Sequence, residues 1–214
     1  MLQYSHEEIA HSLIQNIKES CQGYAALCRQ LMLLLADGQP VSRAQLARAM
    51  RWSLAEVESA LKAIAKIEYN AKGDIIGAVL SLEPTPHHIS IRGHALYTWC
   101  ALDTLFYPVV LQERAYVESA CPVTHELVRL SVTPEKLEQL EPAGAYISLV
   151  LPEAAAVRCD IRGNLCNHIY FFSSKQAAST WQVAHPDIVI LPIEEAYAIG
   201  QRVAREVYAL PDQA

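Results

Sequence analysis

The stretch Ser53–Leu80, SLAEVESALKAIAKIEYNAKGDIIGAVL, changes hydrophobic period partway along, from helical to strand-like. Ser53 followed three residues later by Glu56 reads as a capping box, and Leu54, Val57, Leu61 and Ile64 then form one apolar helical face. Beyond it, Ile67-Glu68-Tyr69 and Ile75–Leu80 flank the turn Asn70-Ala71-Lys72-Gly73-Asp74, which predicts a β-hairpin. Upstream, Ser42 caps a short helix from Arg43 to Met50. Before that, the breaker Asp37-Gly38-Gln39-Pro40 ends a helix running from about Gly23 to Ala36. Ser5 with Glu8 opens a first helix through Ile9, Leu13, Ile14 and Ile17. Helices, a short turn, a helix and a hairpin are the order of a winged helix-turn-helix.

That order invites DNA binding through the helix at Ser53, and the charges argue against it. Residues 1–80 carry eight basic and eight acidic side chains, and Glu56 and Glu58 offset Lys62 and Lys66 on the would-be recognition helix. Arg43, Arg48 and Arg51 leave only a modest basic edge. Affinity for phosphates rests on clustered Lys and Arg, and the whole chain has a formal charge of -6. The module is expected to pack rather than to bind nucleic acid.

The 214 residues suffice for one large domain or two small ones. Apolar runs such as Leu31–Ala36 are too short to span a membrane, and the polar N-terminus has no signal-peptide pattern, so a soluble, cytosolic protein is expected. We expect a winged-helix-like domain over 1–82. An α+β domain, mixed and mostly antiparallel with flanking helices, should occupy 83–214. In that second part a Pro-rich connector (81–92) leads into a strand, followed by a helix holding Cys100 and Asp103 and ending near Pro108. Strands are read at Ala115–Ala120, Leu127–Val132, Ala145–Leu151, His168–Ser173 and Ile188–Leu191. Helices are read at Pro134–Leu140, Lys175–Gln182 and Ile193–Leu210.

The six cysteines form no CxxC pair, so zinc-ribbon and thioredoxin motifs are excluded, and reduced thiols are expected. Cys21 and Cys28 lie in helical segments with no titratable partner in sequence and read as core fillers. Cys121 ends a strand before Pro122 and reads as a structural thiol. Cys159 sits in a polar loop between Arg158 and Arg162, which could make it reactive. Cys166 precedes His168 and an aromatic strand, where a loop enters a rigid scaffold.

In Tyr97-Thr98-Trp99-Cys100-Ala101-Leu102-Asp103-Thr104-Leu105, a thiol and a carboxylate stand three residues apart, which puts them on one face of an apolar helix. A carboxylate buried there must be hydrogen-bonded, paired or functional. Desolvation would raise its pKa and let it carry a proton near neutrality. A core reading of Cys100 and a structural reading of Asp103 stay open on spacing alone.

This run closely resembles the signature of the organomercurial (alkylmercury) lyase family. Gly38–Arg43, Glu68–Gly77, Glu141–Gly144 and Leu149–Pro152 resemble family segments in family order, so the likeness covers nearly the whole chain. It implies cleavage of carbon–mercury bonds by protonolysis, for mercury detoxification. Cys100 and Cys166 would be the mercury-binding thiols, Asp103 the proton shuttle and a further ligand, and Cys121 a structural thiol. Cys-Asn-His-Ile-Tyr-Phe-Phe fits the motif around the second thiol, with Asn167 where some members carry another Cys and Cys159 as the rival. The resemblance implies no required cofactor. Hg(II) would be held as product, low-molecular-mass thiols would be co-reactants, and a mercuric reductase would accept the ion. Two other classes stand beside it: a metal- or thiol-responsive winged-helix regulator, and a protein that sequesters mercury without cleaving.

Overall fold

The computed structural model describes residues 4–78 and 80–210; Val79, within the expected hairpin, lies outside them. The chain opens with α1 (His6–Cys21), α2 (Ala25–Leu35), α3 (Arg43–Met50) and α4 (Leu54–Ala63), followed by the short strands β1 (Glu68–Tyr69) and β2 (Ile75–Ala78). Three of these helices start as the sequence predicts. Ser5, Ser42 and Ser53 each accept a hydrogen bond from the backbone three residues on, and Glu8, Gln45 and Glu56 return it. Each box satisfies two otherwise orphaned N–H groups, a contribution of about 1 kcal/mol.

The hairpin continues directly into the rest of the molecule. After β3 (Leu80–Ser81) come β4 (His87–Ile91), β5 (His94–Thr98), α5 (Ala101–Leu111), β6 (Ala115–Ala120), β7 (Leu127–Val132) and β8 (Leu137–Glu141). These strands form one eight-stranded antiparallel sheet in the order β1-β2-β3-β5-β4-β6-β7-β8. The β3–β5 pairing, Leu80 opposite Thr98, joins the winged-helix part to the following part through backbone hydrogen bonds. Next come β9 (Tyr146–Leu149), α6 (Ala154–Cys159), α7 (Ile161–Asn164), a 3-10 turn at Cys166–His168, β10 (Phe171–Phe172), α8 (Lys175–Ala184), β11 (Val189–Pro192) and α9 (Ile193–Tyr208). A second sheet, β10-β9-β11, is also antiparallel.

One apolar core runs through both parts, from Ile9, Leu13 and Leu31 to Leu105, Phe106 and Val203. Helix α5 is buried along its entire length. It packs on α9, where Gly200 lets the backbone approach Leu105 and Phe106.

Several expectations are corrected. Cys100 does not lie within a helix: Tyr97 and Thr98 belong to β5, and Cys100 is the residue that caps α5. The missed hairpin β4–β5 turns at Arg92-Gly93, both in the left-handed region (φ 55° and 78°), as a two-residue hairpin turn requires. Helix α5 also runs past Pro108 to Leu111. Proline forfeits one backbone bond in the helix interior, and dense burial on every side keeps the helix intact. Finally, Pro134–Leu140 is not helical. The backbone N–H of Lys136 donates to Thr133 Oγ1 at 3.1 Å, closing a turn that sends Leu137–Glu141 back against β7, so sheet pairing overrides helix propensity. The polar loop around Cys159 is itself two short helices, α6 and α7.

Candidate active site

The β5–α5 junction positions the first thiol. Thr98 Oγ1 donates to the Cys100 carbonyl at 2.8 Å, and the Cys100 N–H donates to Asp103 Oδ2 at 2.9 Å. Asp103 thus occupies the third position of α5 and closes its N-terminus, with the carboxylate at the positive end of the helix. The Cys100–Asp103 spacing therefore places the two groups together through capping, not through a shared helical face.

The second thiol comes from far along the chain. Ala101 N–H donates to the Ile169 carbonyl at 3.2 Å, which pins the start of α5 to the segment just after Cys166. The 3-10 turn at Cys166 is held by His168 N–H to the Leu165 carbonyl (3.2 Å), and Ser148 Oγ donates to the His168 carbonyl (2.8 Å). As a result, one ligand atom each of Cys100, Asp103 and Cys166 lie within 4.8 Å of one another, all three buried. Among the described residues this is the one such cluster of three potential metal ligands. The side chains are 1%, 4% and 2% exposed, so any charge in the cluster is poorly solvated.

Burial sets the protonation of the trio. It pushes the Cys100 thiol well up, reinforced by the thiol's hydrogen bond to Cys166 and by the Asp103 charge, while the Asp103 N–H works the other way. At Cys166 the bond from Cys100 lowers the value, but burial and Asp103 outweigh it and the thiol sits above its ordinary range. Desolvation pushes Asp103 up to about 7, against the lowering effect of the Cys100 thiol and N–H. At neutral pH the site therefore holds protonated thiols beside a carboxyl group poised to take or give a proton. A soft cation binding both sulfurs would displace their protons in this dry environment.

The cluster opens into a tight, mostly apolar cavity lined by Trp99, Leu102, Phe106, Tyr107, Leu165 and Tyr208 among others. Two polar atoms there, Trp99 Nε1 and the Tyr107 hydroxyl, are buried without a hydrogen-bond partner. The Tyr107 hydroxyl faces Asp103 closely enough to favour its ionised form. Above Trp99 lies the Arg162 guanidinium, 5.8 Å from the ring centre, which pairs with Glu68 of β1.

The other cysteines separate. Cys159 is exposed at the end of α6 and is not part of the cluster. Cys121 is buried in a different apolar group with Phe172, Ala177 and Ala178, where Thr124 N–H approaches its sulfur at 3.5 Å. Cys21 and Cys28 pack in and against the core, as expected, and both also line the cavity that contains Cys100 and Cys166, where each thiol shifts the acidity of the other. Their seven-residue spacing across the α1–α2 turn carried no recognised motif, so only the packing reveals the pair.

A helix-turn-helix module feeding an antiparallel sheet, with a buried dithiol–carboxyl cluster at the β5–α5 junction, defines a protein with a donor set that could hold a soft metal ion. Residues 80–205 match the family model for alkylmercury lyase, and residues 7–78 match the helix-turn-helix domain of alkylmercury lyase. The chain is 42% identical to an alkylmercury lyase of Streptomyces lividans, over 82% of this chain and 80% of that one. It is 40% identical to one from Pseudomonas putida (86% and 85% covered) and 36% identical to one from Bacillus cereus (91% and 89%). Among solved structures, the mercury-bound form of MerB2 superposes with a TM-score of 0.76 at 25% identity, covering 92% of this chain and 98% of that one. The chain belongs to the alkylmercury lyase family.

Proposed function

We propose that this protein cleaves the carbon–mercury bond of organomercury compounds by protonolysis, with Cys100 and Cys166 as mercury ligands and Asp103 as proton carrier. The observation that carries the reading is the buried group of two thiols and one carboxyl within 4.8 Å, at the wall of an apolar cavity. Mercury is soft and prefers sulfur. As the first sulfur bonds to the metal of R–Hg⁺, its proton passes to Asp103. When the second sulfur bonds, its proton leaves to solvent and electron density on mercury rises, which weakens the bond to carbon. Asp103 then delivers its proton to the departing carbon. One hydrocarbon, one Hg(II) held by two thiolates and one released proton result, with no change of oxidation state. A value of about 7 suits Asp103 to both halves of this transfer. Apolar neighbours such as Leu102 and Phe106 exclude water and accommodate the organic group.

The reaction asks for no organic cofactor. Product release calls for a competing dithiol, from low-molecular-mass thiols or from a mercuric reductase. No helix among the described residues is long and apolar enough to cross a membrane, in keeping with work in the cytoplasm.

The test is benzene release from a phenylmercury salt with excess thiol present. Cys100→Ser, Cys166→Ser and Asp103→Asn should each lower the rate by at least about 100-fold, the scale of losing a nucleophile or proton carrier. Cys159→Ser should retain the wild-type rate. Full activity in Cys166→Ser would overturn the assignment, and mercury retention without benzene would make the protein a sequestering one.

A further inference from the structure

The cavity holds a second pair of thiols. Cys21 is the last residue of α1 and Cys28 lies in the first turn of α2. Tyr24 N–H donates to the Cys21 carbonyl (2.8 Å) and Cys28 N–H to the Tyr24 carbonyl (3.0 Å), which fixes the turn between them. Both cysteines are free, both line the cavity, and each thiol shifts the acidity of the other. Tyr208 of α9 lines the same wall, and Met32, one helical turn beyond Cys28, adds a thioether to it. Three sulfur-bearing side chains thus converge where an apolar core would normally use Leu or Val. Cys28 is half-buried, whereas Cys21, Cys100 and Cys166 are 4%, 1% and 2% exposed, so within this group Cys28 marks the side of the cavity nearer to solvent.

We propose that Cys21 and Cys28 form a second two-thiol site for Hg(II), in the same cavity as Cys100 and Cys166 and nearer to solvent. Two adjacent reduced thiols are the preferred ligand set of a soft, two-coordinate cation. In so far as the ion arrives as the product of carbon–mercury cleavage, the proposal rests on the lyase reading. The passage is balanced. Two S–Hg bonds to Cys100 and Cys166 break as two to Cys21 and Cys28 form, and two protons move in the opposite direction. No electron is transferred. The second pair would clear the reactive cluster for another substrate and present the ion to an external dithiol.

The experiment uses the full chain, reduced, with HgCl2 as probe, so that binding is read without any cleavage. The parent variant is Cys100→Ser/Cys159→Ser/Cys166→Ser, which keeps Cys21, Cys28 and the remotely buried Cys121. After gel filtration against a monothiol it should retain one Hg(II) per chain, with the sulfur-to-mercury charge-transfer band in the ultraviolet and two sulfur neighbours by X-ray absorption. Adding Cys28→Ser alone, or Cys21→Ser with Cys28→Ser, should reduce retained mercury at least tenfold, circular dichroism confirming the fold. A folded parent variant that retains no mercury, or equal retention after Cys21 and Cys28 are removed, would overturn the proposal. Benzene release by the wild type is scored separately. Its absence sinks the lyase reading and leaves the second site standing, and the reverse result does the opposite.

Discussion

Asp103 combines a structural and a chemical demand in one carboxyl group. Its Oδ2 accepts the Cys100 N–H at 2.9 Å, yet it is 4% exposed and desolvation pushes it up to about 7. Between the ordinary value of 3.8 and about 7 the folded chain binds the proton more tightly than the unfolded one, so stability is full below that window and falls as pH rises through it. The full span corresponds to about 4 kcal/mol at about 1.4 kcal/mol per pH unit. Urea midpoints of the wild type should therefore decline from pH 4 to pH 8 relative to Asp103→Asn, which keeps the shape but cannot ionise. Parallel curves for the two proteins would contradict the burial argument. In the sequence, the odd Cys–Asp pairing was legible while its cause was misread: a capping geometry and a shared helical face use the same three-residue spacing.

At the scale of elements, the hairpin β1–β2 acts as a clamp on the site. Glu68 of β1 lies across Gly77 of β2, accepts from Ser81 Oγ at 2.7 Å and pairs with Arg162 of α7, whose guanidinium covers Trp99. A Cβ on Gly77 would fall 2.0 Å from Glu68 Oε2, so a methyl group there requires the carboxylate, held by Ser81 and Arg162, to move. Gly77→Ala should displace Glu68, free Arg162 and destabilise the chain by about 1–3 kcal/mol, as overpacking does. Urea denaturation checks this, and a change below about 0.5 kcal/mol would show that the carboxylate swings aside at no cost. The helix starts were readable because Ser and Glu or Gln at fixed spacing satisfy backbone donors locally. Strand β8 was not, because Glu135, Lys136, Leu137 and Leu140 carry a helical pattern that pairing with β7 overrules. The β4–β5 hairpin did leave a signal, Arg92-Gly93 between alternating residues.

Across the whole molecule, the cavity is shared property. Its wall takes Ile17 and Cys21 from α1, Met32 from α2, Phe106 from α5, Ile161 from α7 and Tyr208 from α9. The eight-stranded sheet and one continuous core cross the boundary expected near residue 82. Such coupling predicts one cooperative unfolding transition. Trp52 beside α3 and Trp181 in α8, each left as the single tryptophan, should report coincident urea curves. Hg(II) binding should shift both curves equally, by about 2.7 kcal/mol at a hundred times the dissociation constant. Separate midpoints would mean that the winged-helix part and the remainder fold independently.

The sequence by itself determined the local beginnings: the capped helices, the α+β class and the family, because these rest on neighbours a few residues apart and on a nearly continuous likeness along the chain. It also named Cys100, Asp103 and Cys166. Only the tertiary structure brought Cys166 across 66 residues to within 4.8 Å of the other two, through the Ala101–Ile169 backbone bond and the Ser148 anchor. It alone set Cys21 and Cys28 in the wall of the same cavity. Burial, which sets the acidity of all these groups, is a property of packing between distant segments, and no local pattern encodes it.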